Sequence, residues 1–165
     1  MALLLLPLLA CASTYRLLHL SDIHYNPLFD PRFPWCQNPD DATRSPDASR
    51  YKYGKIGCNP PMGLVDAVFA DARAKDRYDA IVMSGDLVSH ELSEDVYEQA
   101  FAAMVAKFRE YFGATPVVFS MGNNDTPRPF NITCSDSSFA FIYTPLKDYI
   151  PGLSFRRLVS REGGI

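Results

Sequence analysis

Ser21-Asp22-Ile23-His24, Ser84-Gly85-Asp86 and Gly122-Asn123-Asn124-Asp125 are three short polar motifs, and each follows an apolar run of strand length. The runs are Tyr15–Leu20, Ala80–Met83 and Pro116–Ser120. Between the first two runs, Leu64, Val65, Val68, Phe69 and Ala72 recur at helical spacing, which predicts a helix over Met62–Asp76 with Pro61 in its first turn. Between the second and third, Ser93 is a plausible N-cap and Gly113 a C-terminal stop. The helix they bound carries Tyr97, Phe101, Met104, Val105, Phe108 and Phe112 on one stripe. That stripe is predicted to be core, because an aromatic face at helical spacing needs no cofactor to explain it. Strands alternating with amphipathic helices imply parallel βαβ crossovers, hence an α/β fold.

Ligands of an open α/β sheet bind outside the carboxyl ends of its strands. The three motifs therefore deliver Asp22, His24, Asp86 and Asn123 to one rim. Carboxylate, imidazole and amide oxygen together form a metal-ligand set. Asp22 and His24 are two residues apart and, on a continuing strand, point the same way. Asp86 has two oxygens and so can bridge two ions, with Gly85 before it allowing close backbone approach. Two ions ~3.5–4 Å apart can share a hydroxide and clamp an in-line displacement at phosphorus. Each motif alone reads more simply as a turn or cap. The weight lies in all three occurring in order, each after a predicted strand.

The rest of the chain bounds this reading. Its 165 residues suffice for one domain with a core, and 47% hydrophobic against 21% charged content describes a globular chain. A net charge of −3 supplies no basic footprint for nucleic acid or an anionic membrane surface. Ala2–Ala10 is nearly all apolar, too short to span a bilayer, and runs into Ala10-Cys11-Ala12, so residues 1–12 read as a signal peptide. A bacterial lipoprotein site at Cys11 and a buried N-terminal element are the other readings. Ser21–Pro61 holds seven prolines and no periodicity, so it is an excursion. A Cys36–Cys58 bridge is the expected staple for it, with two free thiols as the alternative. Cys134 is then left without an obvious partner. Asn131-Ile132-Thr133 is a glycosylation sequon, which supports the secretory route.

Asp-x-His, then Gly-Asp, then Gly-Asn-x-Asp resembles the calcineurin-like metallophosphoesterase superfamily. Leu20-Ser21-Asp22-Ile23-His24-Tyr25, Tyr53-Gly54-Lys55 leading to Cys58, and Ser84-Gly85-Asp86-Leu87-Val88-Ser89-His90 are similar to its acid sphingomyelinase-like and endopolyphosphatase-like branch. The resemblance covers about residues 15–130. It implies a four-layer α/β sandwich, of which this chain would be the N-terminal βαβαβ half, with residues 13–165 forming the truncated catalytic domain. It also implies two divalent ions, commonly zinc in this branch. Asp22 and His24 would hold the first ion, Asp86 would bridge, and Asn123 would hold the second.

Two departures follow. Where the superfamily usually has His after the Asn, this chain has Asn124, and an amide is no general acid. The catalytic positions are then His90, the best remaining group to orient or protonate the phosphate, and Asn124. His90 reads equally well as a helix-entry histidine bonded to backbone. The chain also has only His19, His24 and His90, so the later histidine ligands of the family, ending in Gly-His-x-His, are missing. His19 is expected to be buried structure.

The expected activity is metal-dependent phosphodiester hydrolysis in a secreted or lysosomal/vacuolar protein, with little turnover from this chain alone. The alternatives are a phosphoanhydride hydrolase of the endopolyphosphatase type, an inactive binding module of the same fold, and an interaction domain whose acidic loops are only turns. The expected partner is a phosphate-ester substrate, whether lipid headgroup, nucleotide or polyphosphate, with peripheral membrane contact through a lipid substrate.

Overall fold

The computed structural model describes residues 14–30, 51–90, 92–126 and 144–147. Its elements run β1 (Leu17–Leu20), α1 (Met62–Lys75), β2 (Ala80–Met83), α2 (Glu94–Phe112) and β3 (Val117–Phe119). The three strands form one parallel sheet in the order β1-β2-β3. The predicted α/β order is thus observed, with β2 matching its apolar run and β1 and β3 each two residues shorter than theirs.

Register decides which residues are core. His19 pairs with Val82 and Val82 with Val118, while Leu20 pairs with Met83 and Met83 with Phe119. Side chains alternate across a sheet, so Leu18, Leu20, Ile81, Met83, Val117 and Phe119 share one face. That face joins the buried stripes of α1 (Val65, Phe69, Ala72) and α2 in a single apolar cluster. Phe69 of α1 is the hub, its ring centroid 4.8 Å from that of Phe108 and 5.4 Å from that of Phe112 on α2. The opposite face carries Leu17 and Val118, both 60% exposed. Parallel sheets ordinarily have both faces covered, and among the described residues only one is.

Helix ends follow their predicted caps with two adjustments. Pro61 is the N-cap of α1, one place before the first turn where it was expected, and Ser93 caps α2 without a side-chain hydrogen bond. Gly113 terminates α2 at φ 58, its N–H donating to the Arg109 carbonyl. His19 departs from its expectation. It is exposed on the uncovered face, where Nε2 meets the Ser84 hydroxyl.

The excursion after β1 is tied back at both described ends. Asn26 N–H donates to the Pro60 carbonyl at 2.8 Å, and Tyr25 bridges Val88 in parallel. Cys58 is disulfide-bonded, while Cys36, Cys134, the sequon at Asn131 and the 1–12 leader lie outside the described residues. Among the described residues no helix is long and apolar enough to cross a membrane.

Phe108 is fully buried at the α1–α2 contact. Phe108→Ala is expected to cost about 3–5 kcal/mol, whereas Val118→Ala on the open face should change stability by less than about 0.5 kcal/mol. Urea melts of the purified chain check both.

Candidate metal centre

The left-handed backbone marks the site before any side chain does. Among the described residues only Asp22 (φ 53), His24 (φ 50) and Asp86 (φ 55) have positive φ without being glycine. Such conformations cost on the order of 1–3 kcal/mol each and persist where surrounding structure enforces them. Here the enforcement is a continuation of the β1–β2 pairing past the strand ends. Asp22 N–H donates to the Gly85 carbonyl (3.1 Å), His24 N–H to the Asp86 carbonyl (2.9 Å) and Tyr25 N–H to the Leu87 carbonyl (2.9 Å). The motif is therefore a pair of interlocked left-handed turns, and not the continuing strand that a two-residue spacing suggested.

These turns bring Asp22, His24 and Asp86 together. One ligand atom from each lies within 4.8 Å of the others. His24 Nε2 is 3.8 Å from Asp22 Oδ1 and 3.9 Å from Asp86 Oδ2. Nitrogen and oxygen ligands sit ~2.0–2.2 Å from zinc, so two ligands of one ion stand no more than about 4.4 Å apart. Both His24 spacings satisfy that limit. Asp22 is exposed, His24 half-buried and Asp86 buried, so the cluster opens to solvent on one side. A divalent cation fits this donor set, because two carboxylates converge on one imidazole nitrogen.

The third motif is fastened to the second. Asp125 is fully buried and its carboxylate accepts three backbone N–H groups: Asp86 (2.8 Å), Gly122 (2.7 Å) and Leu87 (3.1 Å). Burial pushes its carboxyl above the ordinary range, with nearby Asp86 adding to the effect. The three N–H bonds pull the other way. Gly85 and Gly122 allow the approach, since a Cβ on Gly85 would lie 2.6 Å from Gly122 Cα, and one on Gly122 would lie 2.6 Å from the Asp86 nitrogen.

Asn124, also buried, reaches Asp86 twice: its N–H donates to Oδ1 (2.7 Å) and its amide to Oδ2 (3.2 Å). The same amide lies 3.2 Å from His90 Nε2, and the His90 ring stacks on His24 at 5.0 Å and 9°. His90 thus belongs to the cluster through side chains. Asn123, on the same loop, is exposed.

Sequence reasoning assigned no role to Asp125 and placed Tyr97 only in the core. Tyr97 is buried on α2, and its hydroxyl donates to the Asn124 carbonyl at 2.8 Å. Burial, then Asp125 and Asp86, push its phenol well above the usual tyrosine range. The available signal was a tyrosine within a phenylalanine stripe, since a hydroxyl in a core finds a partner.

Parallel strands with a carboxylate–imidazole cluster at their carboxyl ends define an α/β protein with a candidate metal site at the rim of its sheet. A family model described as "Calcineurin-like phosphoesterase" matches residues 15–164, and the chain belongs to that family. Among curated relatives, "Sphingomyelinase phosphodiesterase D" of Dictyostelium discoideum is 24% identical over 156 residues, covering 82% of this chain and 36% of its own length. "Sphingomyelin phosphodiesterase A" of the same organism is 31% identical over 66% of this chain and 19% of its own length. "Acid sphingomyelinase-like phosphodiesterase 3b" of Mus musculus is 27% identical over 70% of this chain and 26% of its own length. The chain therefore spans about a third or less of the relatives it matches.

Asp125→Asn places an amide N–H₂ against backbone donors. It is expected to lower stability by about 1–3 kcal/mol and to weaken metal binding. Calorimetric titration with Zn²⁺ beside a thermal melt checks both. Tyr97→Phe should cost about 0.5–1.5 kcal/mol at neutral pH. A phenol whose folded pKa is raised stabilises fully below its unfolded value of ~10 and loses that contribution as pH rises beyond it. The fall in stability above about pH 10 should therefore be shallower in Tyr97→Phe than in the parent, as read from urea melts across that range.

Proposed function

We propose that this chain is the N-terminal part of a metal-dependent phosphodiesterase domain. In this reading Asp22 and His24 hold one divalent ion, Asp86 bridges to a second that Asn123 completes, and zinc is the resident metal. The observation that carries it is the convergence of Asp22, His24 and Asp86 on three left-handed backbone positions at the strand ends.

Each residue then has a task. Asp86, fixed by Asn124 and flanked by the Asp125 clamp, cannot swing away from the rim. His24 presents Nε2 toward both carboxylates while its ring rests on His90. The open side at Asp22 admits a phosphoryl group from solvent. A divalent ion held there supplies Lewis acidity toward a phosphoryl oxygen. His90 orients that group at the edge of the cluster.

The substrate class is a phosphodiester, with a sphingomyelin-type lipid headgroup favoured by the names of the relatives. A phosphoanhydride is the second reading, favoured by Asn124 standing where the family has its protonating histidine. The secretory route rests on the apolar leader, the sequon at Asn131 and the disulfide at Cys58, for which Cys36 is the proposed partner. With only three histidines in the chain, this segment by itself should bind metal weakly and turn over little.

Hydrolysis of bis-p-nitrophenyl phosphate by the full gene product, with and without added Zn²⁺, tests the reading. Activity should require metal and fall by about 100-fold or more in Asp86→Asn, beyond the 10–100-fold typical of outer-shell changes. Metal-independent activity, or an unaffected Asp86→Asn, would sink the proposal. Robust turnover by the 165-residue chain would refute only the expectation that it is a weak fragment.

A further inference from the structure

We infer that Asn124 is a positioning residue that fixes the tautomer of His90, leaving its Nδ1–H as the proton it can present. The inference rests on the proposed site for its catalytic meaning, but its geometry stands independently.

An amide nitrogen carries two hydrogens. Asn124 directs one to Asp86 Oδ2 and the other to His90 Nε2, each at 3.2 Å. The opposite amide orientation would set Oδ1 against the Asp86 carboxylate, acceptor against acceptor. Asp86 therefore determines which way the amide faces. The orientation is kept even though Asn124 Oδ1 is buried with no hydrogen-bond partner among the described residues, which costs free energy.

The rest of Asn124 is pinned as well. Its N–H bonds Asp86 Oδ1 and its carbonyl receives the Tyr97 hydroxyl. The residue has no freedom to turn the amide away. His90 is held in turn by stacking on His24. Since the Asn124 amide donates, His90 Nε2 accepts, and in the neutral ring the proton lies on Nδ1. A histidine in place of Asn124 would be a proton donor in its own right. Asn124 instead acts through His90 and Asp86.

The test is long-range ¹H–¹⁵N correlation spectroscopy of the ¹⁵N-labelled full chain in the presence of a chelator, at about pH 8, above the usual imidazole range. His90 signals are identified by their loss in His90→Gln. The parent should show the Nδ1–H pattern for His90. Asn124→Leu, of similar size, should convert it to the Nε2–H pattern that dominates in free imidazole side chains. Asn124→Ala serves the same comparison if the leucine variant does not fold. An Nε2–H pattern in the parent overturns the inference, and so does an Nδ1–H pattern that survives loss of the amide. Because the readout is not activity, an inactive protein with the expected tautomer would defeat the proposed function and leave this assignment standing.

Discussion

Three backbone N–H groups converging on the Asp125 carboxylate are the interaction on which the rest of the site depends. Asp125 joins the Gly-Asp turn after β2 to the Gly-Asn-Asn-Asp turn after β3 by direct hydrogen bonds. The contacts between the second and third motifs are downstream of that junction, while the first motif is held by the continued β1–β2 pairing. The Asn124 bonds to Asp86 need the two turns side by side, and Asp86 in turn faces His24. Gly85 and Gly122 are the steric condition for the junction, and Tyr97 connects it to the helical core.

The coupling between core and rim is therefore direct. α2 carries both the phenylalanine contacts to α1 and the Tyr97 hydroxyl that reaches the third motif. Loss of packing at Phe69–Phe108 would be felt at the rim through a single helix. In the other direction, the rim turns extend the β1–β2 pairing through Tyr25 and Val88 and so anchor the start of the excursion.

Most of the fold was legible from the chain, because apolar periodicity and capping residues report local structure faithfully. Gly113 and the Tyr97–Phe112 stripe behave as their spacing demands. The candidate metal ligands Asp22, His24 and Asp86 were legible as types, since each motif directly follows a strand. Their backbone was not, because left-handed φ at aspartate and histidine is imposed by long-range bonds to the partner turn. For the same reason Asp125 looked like the last letter of a loop, since what makes it a clamp are Asp86, Leu87 and Gly122. His19 was expected to be buried structure because strand alternation turns it away from Asp22. Register instead puts it on the uncovered face beside Leu17 and Val118.

The left-handed turns carry one more consequence. Asp22 is largely exposed at φ 53, a place where glycine would relieve backbone strain and remove a negative charge facing Asp86 across His24. A sequence selected for folding alone would write glycine there. In the proposed reading Asp22 is thus a stability–function trade-off: glycine at that position would be the more relaxed residue and would give up one of the carboxylates proposed to hold a cation.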